Sequence, residues 1–183
     1  MATPTIIATP GATNANAFGT LAESETYFDA QYHPDDPWSG FTDAQKTVAI
    51  IMATRWMTSL IEWTGYWAST TQALPWPRNG MWHRNDFVYV DSTTVPDEVK
   101  WCCFETARLF LVSDRTNELE QSVNNLALLK VGSIRMDFRN AAGKGTDQPL
   151  APIVPEMAIN LLVPSWVESV TGIDTGVRDL ERS

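Results

Sequence analysis

The residues able to do covalent or metal chemistry are few in this chain of 183. They are two histidines, His33 and His83, and two adjacent cysteines, Cys102 and Cys103. A zinc site needs three or four N or S ligands at turn- or helix-compatible spacing, and neither Cys-x-x-Cys nor His-x-x-x-His occurs. The cysteine pair lies in an apolar run, where thiols behave as small inert hydrophobes, and no base or orienting partner is signalled for a nucleophile. Gly143-Lys144-Gly145-Thr146 has the look of a phosphate loop but lacks its upstream glycine and the apolar helix that must follow. Asp35-Asp36 reads as a solvated loop pair. Asp97-Glu98 reads as the favourable acidic first turn of a helix. The expectation is a protein that is not an enzyme and that holds no metal or cofactor.

One constellation invites a contact instead. In Pro75-Trp76-Pro77-Arg78-Asn79-Gly80 two prolines stiffen the backbone around an indole, and Arg78 offers a planar fork suited to carboxylate or phosphate. Two readings are open: a rigid loop that packs Trp76 on its own bundle, or an inter-subunit or DNA contact.

Charge narrows the partner. The formal net charge is −9, with no Lys or Arg before Lys46 and three basic against six acidic residues from Asn140 to Ser183. The stretch Lys46–Arg139 carries ten of each sign. Without a basic stripe the chain is poorly suited to gripping nucleic acid, and better suited to lining a passage that DNA slides through. No run approaches the ~18 apolar residues of a transmembrane helix, and Met1-Ala2-Thr3-Pro4 opens no secretory signal. Adjacent cysteines suit a reducing cytoplasm as the place of synthesis, and the lack of an apolar span predicts no membrane association.

The elements that must position these residues read as mainly α. A small bundle of about four helices carries a β-hairpin, an extended N-terminal arm (residues 1–19) and a C-terminal tail (residues 165–183). Thr20-Leu21-Ala22-Glu23 and Thr42-Asp43-Ala44-Gln45 are capping-box patterns that open two helices. The first runs to about Tyr32. In the second, Val48, Ile51, Met52, Trp56, Leu60 and Trp63 form an apolar stripe at helical spacing, ending near Thr64-Gly65. Pro96-Asp97-Glu98 opens a third helix, apolar almost all round from Val99 to Val112, which predicts burial on several sides. Phe87–Val90 could form a strand. Leu126–Lys130 and Ser133–Phe138 flank Val131-Gly132 as a hairpin near 126–138, with Ile134, Met136 and Phe138 facing one way and Arg135, Asp137 and Arg139 the other. Pro155-Glu156 opens a short helix that closes before Pro164. In the tail, Trp166, Val170, Ile173, Val177 and Leu180 have amphipathic helical spacing interrupted by Gly172 and Gly176, so the readings open are a helix that forms when docked on a partner, a frayed tail, or a helix packed on its own domain.

The order of these signals resembles a known family. Ala15-Asn16-Ala17-Phe18-Gly19-Thr20-Leu21-Ala22-Glu23, then Ala53-Thr54-Arg55, Leu74-Pro75-Trp76-Pro77-Arg78-Asn79-Gly80, Val95-Pro96, Lys130-Val131-Gly132-Ser133 and Leu161-Leu162 follow one another over about residues 14–164. The chain resembles tailed-phage proteins often labelled DnaT-like single-stranded DNA-binding proteins, whose members are similar to head-completion adaptors. The resemblance implies a virion head–tail connector forming a ring, twelve subunits under a twelve-fold portal, around passing double-stranded DNA. The portal and the next neck or tail protein would be its partners. On that reading Phe18, Trp76, Pro77, Arg78, Lys130 and Arg135 supply subunit or neck contacts, and Trp166, Val170, Ile173, Val177 and Leu180 dock on the portal. The alternative is a single-stranded DNA binder that stacks bases on Trp and Arg.

Overall fold

The computed structural model describes residues 4–31, 36–84, 88–112, 128–131, 134–137 and 154–170. The chain forms two compact units, residues 1–113 with 154–183, and residues 114–153.

The larger unit is built on helices whose starts are set locally. Thr20 caps α1 (Leu21–Asp29) and Thr42 caps α2 (Asp43–Leu60), each through a reciprocal capping box with Glu23 and Gln45. These boxes satisfy amides that a helix leaves unpaired. Asp97–Val112 forms α3, with Asp97 and Glu98 in its first turn. The fourth described helix, α4, is the short Glu156–Ile159. The mainly-α expectation holds, including its hairpin.

α2 and α3 form the main packing pair, and α1 and α4 also pack on α3. The face that α2 buries follows the expected stripe only in part, since Ile51 is buried and Val48 is exposed. Ala49, Ile50, Ala53, Thr54 and Met57 are buried, while Val48 is 39% exposed and Met52 and Trp56 are half-buried. Small residues allow the closest approach of Cys102, Cys103 and Ala107 on α3. Close packing rewards that geometry more than it rewards individual bulk. Thr54 anchors the contact, accepting from Phe18 N at 3.2 Å and lying 3.4 Å from Cys103 Sγ.

Three pieces depart from the expectations. The N-terminal segment is stitched to itself and to the bundle: Asn16 Oδ1 accepts from Ile7 N at 2.7 Å, Ala73 N donates to Ala12 O, and Phe18 is 1% exposed. α2 stops at Leu60, and Ile61–Trp63 continues as strand β1. Trp166 and Val170 do not open an amphipathic helix. Pro164–Trp166 is a 3₁₀ turn, and Val167–Val170 is strand β6, antiparallel to β1 with Ile61 opposite Val170. Trp166 is fully buried and Val170 is 4% exposed, so both belong to the core. A four-residue step suits one helix face and, having even parity, one strand face as well. Ile173, Val177 and Leu180 lie outside the described residues.

Two further strands, β2 (Tyr66–Trp67) and β3 (Arg78–Asn79), pair antiparallel. Gly65 makes the turn into β2 at φ 74°, where an added Cβ would lie 2.6 Å from Asn79 O. Of the expected Phe87–Val90 strand, the described residues 88–90 show a single bridge, Tyr89 opposite Trp82, closed by Val90 N on Met81 O, and Phe87 lies outside the described residues. In the smaller unit, β4 (Leu128–Val131) and β5 (Ile134–Asp137) form the expected antiparallel hairpin.

Candidate nucleic-acid interface

The Trp-Pro-Arg loop folds inward. Trp76 is 1% exposed and sits between Trp63 (ring centroids 5.5 Å apart, edge-on) and Trp166 (5.2 Å). Pro77 is buried, and Arg78 is 5% exposed. The Arg78 guanidinium donates to four main-chain carbonyls: Thr64 O at 2.7 Å, Gly65 O at 3.0 Å, Trp63 O at 3.1 Å and Pro75 O at 3.2 Å. Burial lowers its pKa. The fork that could have held a phosphate therefore ties the β1–β2 turn to the loop. Phe18, Trp76, Pro77 and Arg78 are thus corrected from contact residues to parts of the core, because their own chain already satisfies them. For Lys130 and Arg135 the structure describes only the strand register.

Among the described residues, Trp101 on α3 is 38% exposed, and four further exposed aromatic groups lie on the strap of residues 66–89 around the loop. Tyr66 is 77% exposed, Tyr89 61%, Trp67 49% and Trp82 38%. Trp67 is paired with Arg78 in the β2–β3 ladder, so the buried guanidinium fixes the ribbon that presents it. The Trp82 and Tyr89 rings lie 3.6 Å apart between centroids, tilted by 30°, and Trp82 O accepts from the Trp166 indole N–H at 2.6 Å. Sequence reasoning missed these four. Their signal was an aromatic pair directly after Gly65, with no apolar period to bury it.

A concavity of 720 Å³ runs between α1 and α3, lined by Tyr27, Trp101, Phe104, Glu23, Asp97 and Lys100 among others. Tyr27 and Trp101 stack at 6.0 Å. Lys100 lies 2.7 Å from Glu23 and 3.4 Å from Asp97. Burial alone would lower the Lys100 pKa, but its bond to Glu23 and the two nearby carboxylates raise it. Below this groove Tyr27 donates to the buried Glu105, which also pairs with Arg108. Burial and that carboxylate push the phenol up to about 12.

The described cations of the larger unit are largely engaged with their own chain. Lys46 pairs with Glu25 at 2.8 Å and lies over Trp38, Lys100 and Arg108 hold carboxylates, and Arg84 donates to Leu162 O. Arg55 is exposed. Such a surface offers ring faces more readily than positive charge. Among the described residues no cluster of three metal-ligating side chains occurs, and no helix is long and apolar enough to cross a membrane.

Comparison with known proteins finds no match among curated proteins and none among solved structures. One family does match, over residues 5–175, and its description reads "putative DnaT-like ssDNA binding protein". That span takes in the α2–α3 core, the Trp-Pro-Arg loop, the aromatic strap and the hairpin, so the chain belongs to this DnaT-like family.

Proposed function

We propose that the chain is a non-catalytic binding protein that contacts single-stranded DNA through Tyr66, Trp67, Trp82 and Tyr89. The observation that carries this reading is their exposure within residues 66–89, beside the loop that Arg78 ties down, in a unit that buries Trp38, Trp63, Trp76 and Trp166. Every base has a π-face, so aromatic platforms bind single strands with little sequence preference. The family's description supports the same ligand. Titrating full-length protein with a thymidine oligonucleotide should quench tryptophan fluorescence. Trp67→Ala should weaken binding about 5- to 150-fold, the equivalent of ~1–3 kcal/mol per stacked base. No quenching at low salt would remove this reading.

A second reading, a head–tail connector ring of a tailed phage, is supported by the net charge of −9 and by the internal use of Arg78. An acidic ring does not hold passing DNA, and exposed aromatics suit a heterologous subunit contact. Mixing the chain with portal particles and imaging the product tests it. A ring beneath the portal supports the connector, and unaltered portals refute it.

A further inference from the structure

We infer that the outward face of α2 is the docking site for the chain's own residues 171–183, which lie along it as a helix with Ile173, Val177 and Leu180 against Trp56, Met52 and Val48. The inference goes beyond the DNA-binding reading and does not depend on it.

The first argument is an unpartnered helix face. At 3.6 residues per turn, Val48, Met52, Arg55, Trp56 and Ser59 share the side of α2 opposite the buried Ala53 and Met57. Val48, Arg55 and Ser59 are exposed, and Met52 and Trp56 are half-buried. Three large apolar side chains therefore meet solvent in a row at steps of four, beside one cation. The acid of α2, Asp43, lies in its first turn, off this face.

The second argument is where the tail begins. Val170 stands opposite Ile61 in the antiparallel ladder, and Ile61 directly follows Leu60, the last residue of α2. The strands run in opposite directions, so the chain leaving Val170 heads toward the α2 end of β1. Residue 171 thus starts beside the C-terminal end of the open face. Thr171 and Gly172 make the joint, and Ile173, Val177 and Leu180 then recur at steps of four and three, one side of a helix. At ~1.5 Å per residue, Ile173 to Leu180 spans about 10 Å and Trp56 to Val48 about 12 Å, so the two stripes match in length. Gly172 and Gly176 leave the segment marginal alone, and burying its stripe supplies what local propensity lacks.

The third argument is charge. Asp174 and Glu181 flank the tail's stripe in helical projection, and Arg55 is the cation on the face that receives it. The groove between α1 and α3 suits the tail less well. It bears Glu23 and Asp97 against Lys100, and the tail itself carries Asp174, Asp179 and Glu181 against Arg178 and Arg182.

The test is disulfide cross-linking in the full-length protein at low concentration. Cys102 and Cys103 are buried, so introduced thiols are the accessible ones. Two variants are compared under mild oxidation, Met52→Cys with Leu180→Cys and Thr26→Cys with Leu180→Cys. Met52 lies off the buried face and Thr26 is exposed, so both replacements leave the α2–α3 packing intact. A tether alone gives effective concentrations on the order of mM at either site, whereas docking should close the Met52→Cys pair within the monomer at least about tenfold faster. Equal rates for the two pairs overturn the proposal, as does faster closure at Thr26→Cys, which would place the tail in the α1–α3 groove. Cross-linked dimers overturn it in favour of a second copy on the α2 face. Failure of the Met52→Cys pair to close overturns it outright. None of these outcomes bears on oligonucleotide binding, which is read separately by tryptophan quenching.

Discussion

Replacing Arg78 by lysine separates a structural arginine from a ligand-binding one. The native guanidinium reaches four carbonyls, those of Trp63, Thr64, Gly65 and Pro75, from a side chain that is 5% exposed. A lysine ammonium is a single nitrogen on a flexible stem and lacks the planar fork, so it can serve about two of the four. Two buried carbonyls then lose charged donors. Bonds to charged groups contribute about 1.5–3 kcal/mol each, and the smaller desolvation cost of one buried cation relative to another offsets little, so the loss is about 3–5 kcal/mol. For a chain of this size each kcal/mol lowers the melting temperature by about 2–4 °C, giving a fall of roughly 6–20 °C. Thermal and urea unfolding followed by tryptophan fluorescence measure it, since Trp63 and Trp76 flank the site. Arg78→Lys with wild-type stability but weakened oligonucleotide binding would refute this account and return Arg78 to the role its motif suggested.

Three other outcomes are expected. Truncation after Val170 should keep the β1–β6 ladder, whereas truncation after Pro164 removes the fully buried Trp166 and should cost at least the ~3–5 kcal/mol of a large-to-small core change, read as a lower urea midpoint. Burial raises both thiols, Cys103 to about 12, so neither should react with a thiol reagent at pH 8 until the protein unfolds; prompt native-state labelling would contradict that packing. At Glu23, burial would raise the carboxyl, but bonds from Lys100 and Thr20 outweigh it and hold the pKa below its usual 4.5. Its stabilisation is therefore present above about pH 4.5 and lost as pH falls through the folded value. Glu23→Gln should lower stability by less than about 1 kcal/mol near neutrality, with the difference from wild type vanishing in acid.

The sequence alone determined what depends on neighbours within one or two turns. Thr20 with Glu23 and Thr42 with Gln45 start α1 and α2 because a hydroxyl and a carboxylate or amide three residues apart satisfy each other's free amides wherever they occur. Pro96 and the acids after it set the start of α3, and alternation about Val131-Gly132 gave the hairpin. Tertiary structure decided which face or partner each element took. α2 is apolar on more than one side, so only the approach of α3 could select Ala49, Ala53 and Thr54 over Val48, Met52 and Trp56. The spacing of Trp166 and Val170 fits a helix or a strand, and β1, more than a hundred residues earlier, made it a strand. Arg78 looked like a ligand hook because its four carbonyl partners come from a turn 13 to 15 residues away as well as from its own loop. With Arg78 turned inward, the aromatic side chains that the same ladder leaves exposed are Tyr66 and Trp67.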